Sequence, residues 1–267
     1  MNKIITIIIL IIVVVVGGAL IWQWMANTQM ANSPNTASNT DQNAQNSATA
    51  SQNNTPAKLK GTMYVSLTDA ALNMKNVTAV NVTIDKVQVS NLGEGWVTLS
   101  QTPQTFNLLD LKAKSQAVVI GKASLSSGTW NEFKLHVSKV MVTSSGATKQ
   151  ATLPSSDVYL KTEVMVNSNT NSVAQFDILA DKSLYQTTAG DFIFAPVITF
   201  TSRMNATVNV NASTNVIAAS YGQTNAAVNV GMDIDGQLKN NFAINPNTVL
   251  NVNAAGKIEL VPTILLK

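Results

Sequence analysis

Val80-Asn-Val-Thr-Ile-Asp-Lys-Val-Gln-Val89 is the stretch on which the fold turns. Val80, Val82 and Ile84 occupy alternate positions, the period of a strand with one buried face, and Val87 and Val89 then continue the series one step out of phase. A one-residue slip turns every later side chain to the other face. Both halves therefore face one core only if an extra residue at Asp85 or Lys86 is absorbed in a bulge. The same slip recurs where Phe133, Leu135 and Val137 are followed by Val140 and Val142 across Ser138 and Lys139. Val82-Thr-Ile-Asp-Lys-Val-Gln-Val-Ser90 aligns with Leu135-His-Val-Ser-Lys-Val-Met-Val-Thr143, and each runs into a glycine turn, at Gly93 and Gly95 or at Gly146. Either this is chance likeness between two strands, or the two fill equivalent places in two packed sheets.

The alternation extends in both directions. Met63, Val65 and Leu67 alternate with Tyr64, Ser66 and Thr68, which predicts a half-buried strand with its serine and threonines outward. Residues 96–99, 105–109, 158–166, 173–179 and 191–200 read as further strands, whereas residues 118–123 read as one helical turn. Pro196 cannot donate to a ladder, so it is expected at an edge or a bulge. Short strands with turns at regular spacing predict an all-β fold, an antiparallel β-sandwich of immunoglobulin-like or transthyretin-like type, over residues 60–202. From residue 203 to 267 the strands are poorer in aromatics, with Val208, Val228, Val230, Met232, Leu250 and Ile258 apolar and Asp235-Gly236 marking a hairpin turn. Such a piece is marginal alone and is expected to pack on the sandwich or on a neighbouring molecule.

Upstream the chain changes character. Met1, Asn2 and Lys3 lead into an almost unbroken apolar run from Ile4 to Trp22. That length matches the roughly 30 Å hydrocarbon layer of a bilayer. Lys3 precedes the run and no charge follows until Asp41, which predicts a cytoplasmic N-terminus and an extracytoplasmic remainder. Trp22 and Trp24 stand where indoles favour the headgroup zone. Residues 1–25 are read as a cytoplasmic tip and single-pass signal anchor rather than a cleaved signal peptide, whose apolar core is shorter. Residues 26–59, rich in Asn, Thr, Ser, Gln and Ala, bury too little surface to offset their ordering entropy and read as a disordered linker spanning roughly 30 Å.

Composition excludes several classes of function. Charged residues make up 12% of the chain, lysines form no run, and Arg203 is the sole arginine, so no nucleic-acid partner is expected. With no cysteine there are no disulfides, thiolate nucleophiles or thiolate metal sites. His136, the single histidine, is predicted on the outward face of its strand beside Lys134 and Ser138, and no Gly-x-Ser-x-Gly elbow accompanies it. No catalytic residue and no cofactor site is expected. Asp69, Asp85, Asp110, Asp177 and Asp181 fall at predicted strand ends or turns, where oxygens can gather around Ca²⁺ or accept backbone N–H bonds. Asp69 and Asp181 are the metal candidates, and also the pair that a glycan-cleaving enzyme would use.

Gly61-Thr-Met-Tyr-Val-Ser-Leu-Thr-Asp-Ala70, Val80-Asn-Val-Thr-Ile-Asp-Lys-Val87, Gly95-Trp-Val-Thr-Leu99, Phe106-Asn-Leu-Leu-Asp-Leu111, Ala180-Asp-Lys-Ser183 and Ala195-Pro-Val-Ile198 follow one another in order. Together they resemble the domain of unknown function 4382 family, found in exported prokaryotic proteins, over about residues 60–200. Ala71 stands where that family usually has the proline of its Leu-Thr-Asp-Ala-Pro motif. The resemblance implies a domain and a cell-surface location, without an activity. The leading expectation is a membrane-anchored, extracellular binding or adhesion module whose partners are the bilayer and a surface glycan or protein. A structural subunit that assembles by strand addition, and an envelope glycan-acting enzyme, are the alternatives.

Overall fold

The computed structural model describes residues 58–69, 74–220 and 222–261. The expected anchor, with Ile4, Trp22 and Trp24, and nearly all of the expected linker lie outside the described residues. No helix among the described residues is long and apolar enough to cross a membrane.

Strands β1 (Lys60–Thr68), β2 (Val77–Asn91), β3 (Gly95–Ser100) and β4 (Gln104–Asn107) precede the first helix, α1 (Leu108–Ala113). Then come β5 (Ala117–Ser126), β6 (Gly128–Ser144), β7 (Ala147–Thr152), β8 (Asp157–Val166) and β9 (Asn171–Ile178). A one-turn helix, α2 (Ala180–Ser183), leads into β10 (Leu184–Gln186), β11 (Phe192–Phe194) and β12 (Val197–Val210). The described chain finishes with β13 (Val216–Ser220), β14 (Gln223–Met232), β15 (Leu238–Asn240), β16 (Leu250–Val252) and β17 (Ile258–Leu260).

Two sheets face each other. The first runs β13-β5-β1-β9-β12-β14-β15, and β13 also pairs with β12, so five of its strands close a ring. The second runs β10-β11-β7-β6-β2-β3, with β4 on β2 and β8 on β6. Phe133 of the second sheet meets Phe176 and Phe200 of the first at ring-centroid distances of 5.9 and 5.4 Å, in the range of favourable aromatic packing. All three rings are fully buried.

The slip in β2 and its echo in β6 are both real, and each is a bulge. Thr83 pairs with Lys139, Ile84 with Val137 and Lys86 with His136, so Ser138 and Asp85 are each surplus in the register. Ile84, Val87, Val137 and Val140 are consequently all buried. The two strands do not occupy equivalent places in opposite sheets, however. They are hydrogen-bonded antiparallel neighbours in one sheet, and each bulge accommodates the other.

Several local expectations change. Residues 118–123 lie within β5 rather than in a helical turn. Here Gly121 is pressed so closely to Val87 and Leu99 that a Cβ would sit 3.0–3.3 Å from their side-chain atoms. The first helix begins where residues 108–109 were read as strand, because the Asn107 side chain caps it by accepting from Leu109 N–H and Leu108 and Leu111 bury one face. Pro196 marks neither an edge nor a bulge but the passage from β11 in one sheet to β12 in the other. The sandwich is mixed rather than wholly antiparallel, since β1 runs parallel to β9 and β11 to β7. Ser66, expected outward, is fully buried because β13 folds over that face of β1.

β12 runs unbroken from the sandwich past residue 203, and β14 pairs along it, placing Val230 and Met232 in the main core. Two hairpins 20 residues apart then repeat one design, Val230-Gly-Met-Asp-Ile-Asp-Gly-Gln-Leu-Lys-Asn240 and Leu250-Asn-Val-Asn-Ala-Ala-Gly-Lys-Ile-Glu-Leu260. In the first, Asp233 Oδ1 accepts from the N–H groups of Asp235 and Gln237. In the second, Asn253 Oδ1 accepts from those of Ala255 and Lys257. Gly236 and Gly256 supply the left-handed residue of each turn, at φ +81° and +76°.

Candidate binding face

The inward valines and leucines of β2, β3, β6 and β8 leave their alternate residues on one open outer face. Register sets these residues in rows. Trp96, Ser90, Glu132 and Lys161 form one row, Thr98, Gln88, Lys134 and Tyr159 the next, and Lys86, His136 and Asp157 the third.

Hydrogen bonds tie the rows together. Gln88 Nε2 donates to Thr98 Oγ1 at 3.2 Å and Ser90 Oγ to Glu132 Oε2 at 3.4 Å. Lys134 Nζ lies 2.9 Å from Asp157 Oδ2 and 4.8 Å from the centre of the Tyr159 ring. Tyr159, and after it Asp157, hold the Lys134 ammonium above the ordinary lysine value by hydrogen bonding to its charged form. His136 Nδ1 lies 2.6 Å from Asp85 Oδ1, a contact that the surplus position of Asp85 creates. With Nδ1 bearing the proton donated to Asp85, Nε2 is left as the ring's free position. No hydroxyl among the described residues bonds to that ring.

Two depressions adjoin at Asp157. One, of about 390 Å³, is lined by Asp85, Lys86, Gln101, Lys134 and His136. The other, of about 520 Å³, lies between β8 and the Asp233–Gln237 turn and is lined by Tyr159, Lys161, Gln237 and Asn240 among others. Asp157 Oδ1 is buried without a hydrogen-bond partner. Beside them Trp96 and Tyr159 are 42% and 48% exposed, unusually open for large rings, and meet edge to face at 6.2 Å.

The residues singled out by sequence fall elsewhere, apart from His136 and Asp85. Asp69 directly follows β1, is buried, and accepts from Ala180 N–H at 3.4 Å. Asp181 stands in α2 and lines a separate depression with Tyr185 and Ile244, to which Asp69 does not contribute. No group of three His, Asp or Glu residues suited to a metal ion occurs among the described residues. Strand alternation puts Trp96, Lys134 and Tyr159 on outward faces, and Asp157 just precedes the strand read over residues 158–166, but none of the four carries a site signal of its own. Their juxtaposition depends on a register spanning 63 residues, from Trp96 to Tyr159, that no local pattern encodes.

Residues 60–196 match the model of a family described as Domain of unknown function (DUF4382). No curated protein and no solved structure matches the chain.

Proposed function

The chain belongs to the DUF4382 family, and from that premise we propose that it is a non-enzymatic, membrane-tethered module that binds a cell-surface glycan on the outer face of its second sheet. The observation that carries this reading is the exposed pair Trp96 and Tyr159, set among Gln88, Thr98, Lys134 and His136 on an open sheet. A sugar presents C–H groups that settle on the electron-rich face of an aromatic ring and hydroxyls that exchange hydrogen bonds with amides, hydroxyls and charged groups. One pair of rings in a polar field fits that chemistry better than it fits a protein partner, which calls for a contiguous apolar centre. The apolar run from Ile4 to Trp22 and the polar stretch after it support tethering, with the domain held outside the membrane.

The test is retention of the full-length protein, kept in mild detergent, on immobilised cell-surface polysaccharides. Trp96→Ala and Tyr159→Ala are each expected to weaken retention by about tenfold or more, the range of an aromatic hot spot. Unchanged retention in both variants overturns the assignment of this face. Capture of a protein in place of any polysaccharide, with the same two variants defective, moves the ligand to another class.

A further inference from the structure

We propose that the ringed end of the first sheet contains a pocket for a carboxylate group, anchored by Arg203. Ring closure creates it. β12 runs on beyond its pairing with β9, and β13 pairs with both β12 and β5, so Ile217 and Ala219 stand over the outer face of β1 and β9. Val173, Ala206 and Ile217 form a small second core there, separate from the main one. Beside it lies a pocket of about 130 Å³ lined by Ser66, Gln175, Thr201, Arg203, Ile217 and Ala219, with Val173 completing the wall. One water occupies about 30 Å³ of liquid, so the space suits a carboxylate and the carbon that bears it rather than a sugar ring.

The polar lining matches that group. Ser66, Gln175 and Thr201 lie side by side in one row across β1, β9 and β12, and Arg203 follows two residues along β12 on the same outer face. Together they offer hydroxyl, amide and guanidinium donors, and no carboxylate lines the pocket. None of the ion pairs among the described residues involves Arg203, the only arginine of the chain. Its planar fork matches the two oxygens of a carboxylate. Ser66 is fully buried and its hydroxyl has no hydrogen-bond partner, a desolvated group at the pocket's wall that a bound oxygen would satisfy. The pocket opens on the first sheet, away from the Trp96 and Tyr159 face, so the two sites stand or fall separately.

The single arginine makes the test direct. Full-length protein labelled only with ¹⁵N-arginine, in mild detergent, gives one Nε–Hε signal, from Arg203. Titration with acetate is expected to move that signal to saturation, while chloride at equal ionic strength leaves it in place and inorganic phosphate moves it more weakly. Gln175→Leu, at a partly exposed position, is expected to weaken acetate by about tenfold, the worth of one hydrogen bond to a charged group, with the melting temperature measured alongside to show that the variant is folded. A shift that chloride reproduces, a phosphate response as strong as that to acetate, or an unchanged acetate affinity in Gln175→Leu overturns the proposal.

Discussion

The Asp85 carboxylate lies 2.6 Å from His136 Nδ1 because two neighbouring strands each carry one residue too many. Asp85 is surplus in β2 and Ser138 in β6, and the paired bulges return both strands to register within four residues. The apolar series before and after the bulges then faces the same core. On the other face, two consecutive outward residues in each strand concentrate Asp85, Lys86, Ser138 and Lys139 beside the histidine.

Replacing Val87 or Val140 with Asp is therefore expected to be severe. Both sites are buried in the main core, where an unpaired carboxylate costs several kcal/mol against a total stability of about 5 to 15 kcal/mol. Thr83→Asp, on the outer face four positions before Val87, should cost about 0.5 kcal/mol to 1 kcal/mol, mainly through the lost bond to Thr105. Thermal unfolding of the three variants checks this. Equal shifts for Val87→Asp and Thr83→Asp would contradict the register.

Much of this was legible in the residues themselves. A period of two that breaks once and resumes can only be a strand with a bulge, so Val80 to Val89 disclosed the buried set before any partner was known. Residues 118–123 misled because β5 is itself bulged here: Val65 pairs with Gly121 and Ser66 with Val119, so Ile120 is surplus, adjacent Ile120 and Gly121 are both buried, and the alternation by which a strand is recognised breaks. Ser66 misled because its cover, β13, lies 150 residues downstream at the nearest. The 20-residue echo between the Asp233 and Asn253 hairpins is present in the sequence, but only its turn, Asp235-Gly236, stands out locally. The meeting of Trp96 with Tyr159 could not be read, being a product of register across four strands.

The two hairpins offer a matched pair of glycines. A Cβ at Gly256 meets nothing within 4 Å, so Gly256→Ala should cost only the left-handed backbone penalty, about 1–2 kcal/mol. At Gly236 the same change would also bring a Cβ 2.7 Å from Ser155 Cβ and 3.0 Å from Pro154 O. Gly236→Ala should therefore unfold at the lower denaturant concentration of the two. The reverse order would show that this turn does not seat against residues 154–155.

Acid should loosen the first hairpin selectively. Burial pushes the Asp233 carboxyl up, but Lys239 at 2.7 Å and the N–H groups of Gln237 and Asp235 outweigh it and hold the group below the usual aspartate value. A depressed carboxyl stabilises the fold above its unfolded value, about 3.9, and loses that contribution as pH falls through that range towards its folded value. Asp233→Asn keeps an acceptor oxygen without the charge. Between pH 6 and pH 3, roughly the window of carboxylate titration, its melting temperature is expected to fall less steeply than the parent's. Parallel curves would remove Asp233 from the acid response.

Orientation can be checked on intact cells. With the N-terminus cytoplasmic, as Lys3 ahead of the apolar run predicts, added protease should remove the part after Lys60 while cytoplasmic proteins stay whole. Protection of that part, alongside cleavage of a known surface protein, would reverse the topology.

β1 joins the preceding chain at Lys60 and is flanked along its length, by β5 from Lys60 to Leu67 and by β9 from Thr62 to Thr68. A pull arriving from the N-terminal side along the strand thus loads both ladders in shear, many bonds at once, instead of peeling them singly as it would at an outer strand. A domain that grips a surface while its leading residues are held elsewhere is put under just this kind of traction. The strand so loaded is one of the five that close the ring, with a neighbour bonded on each side.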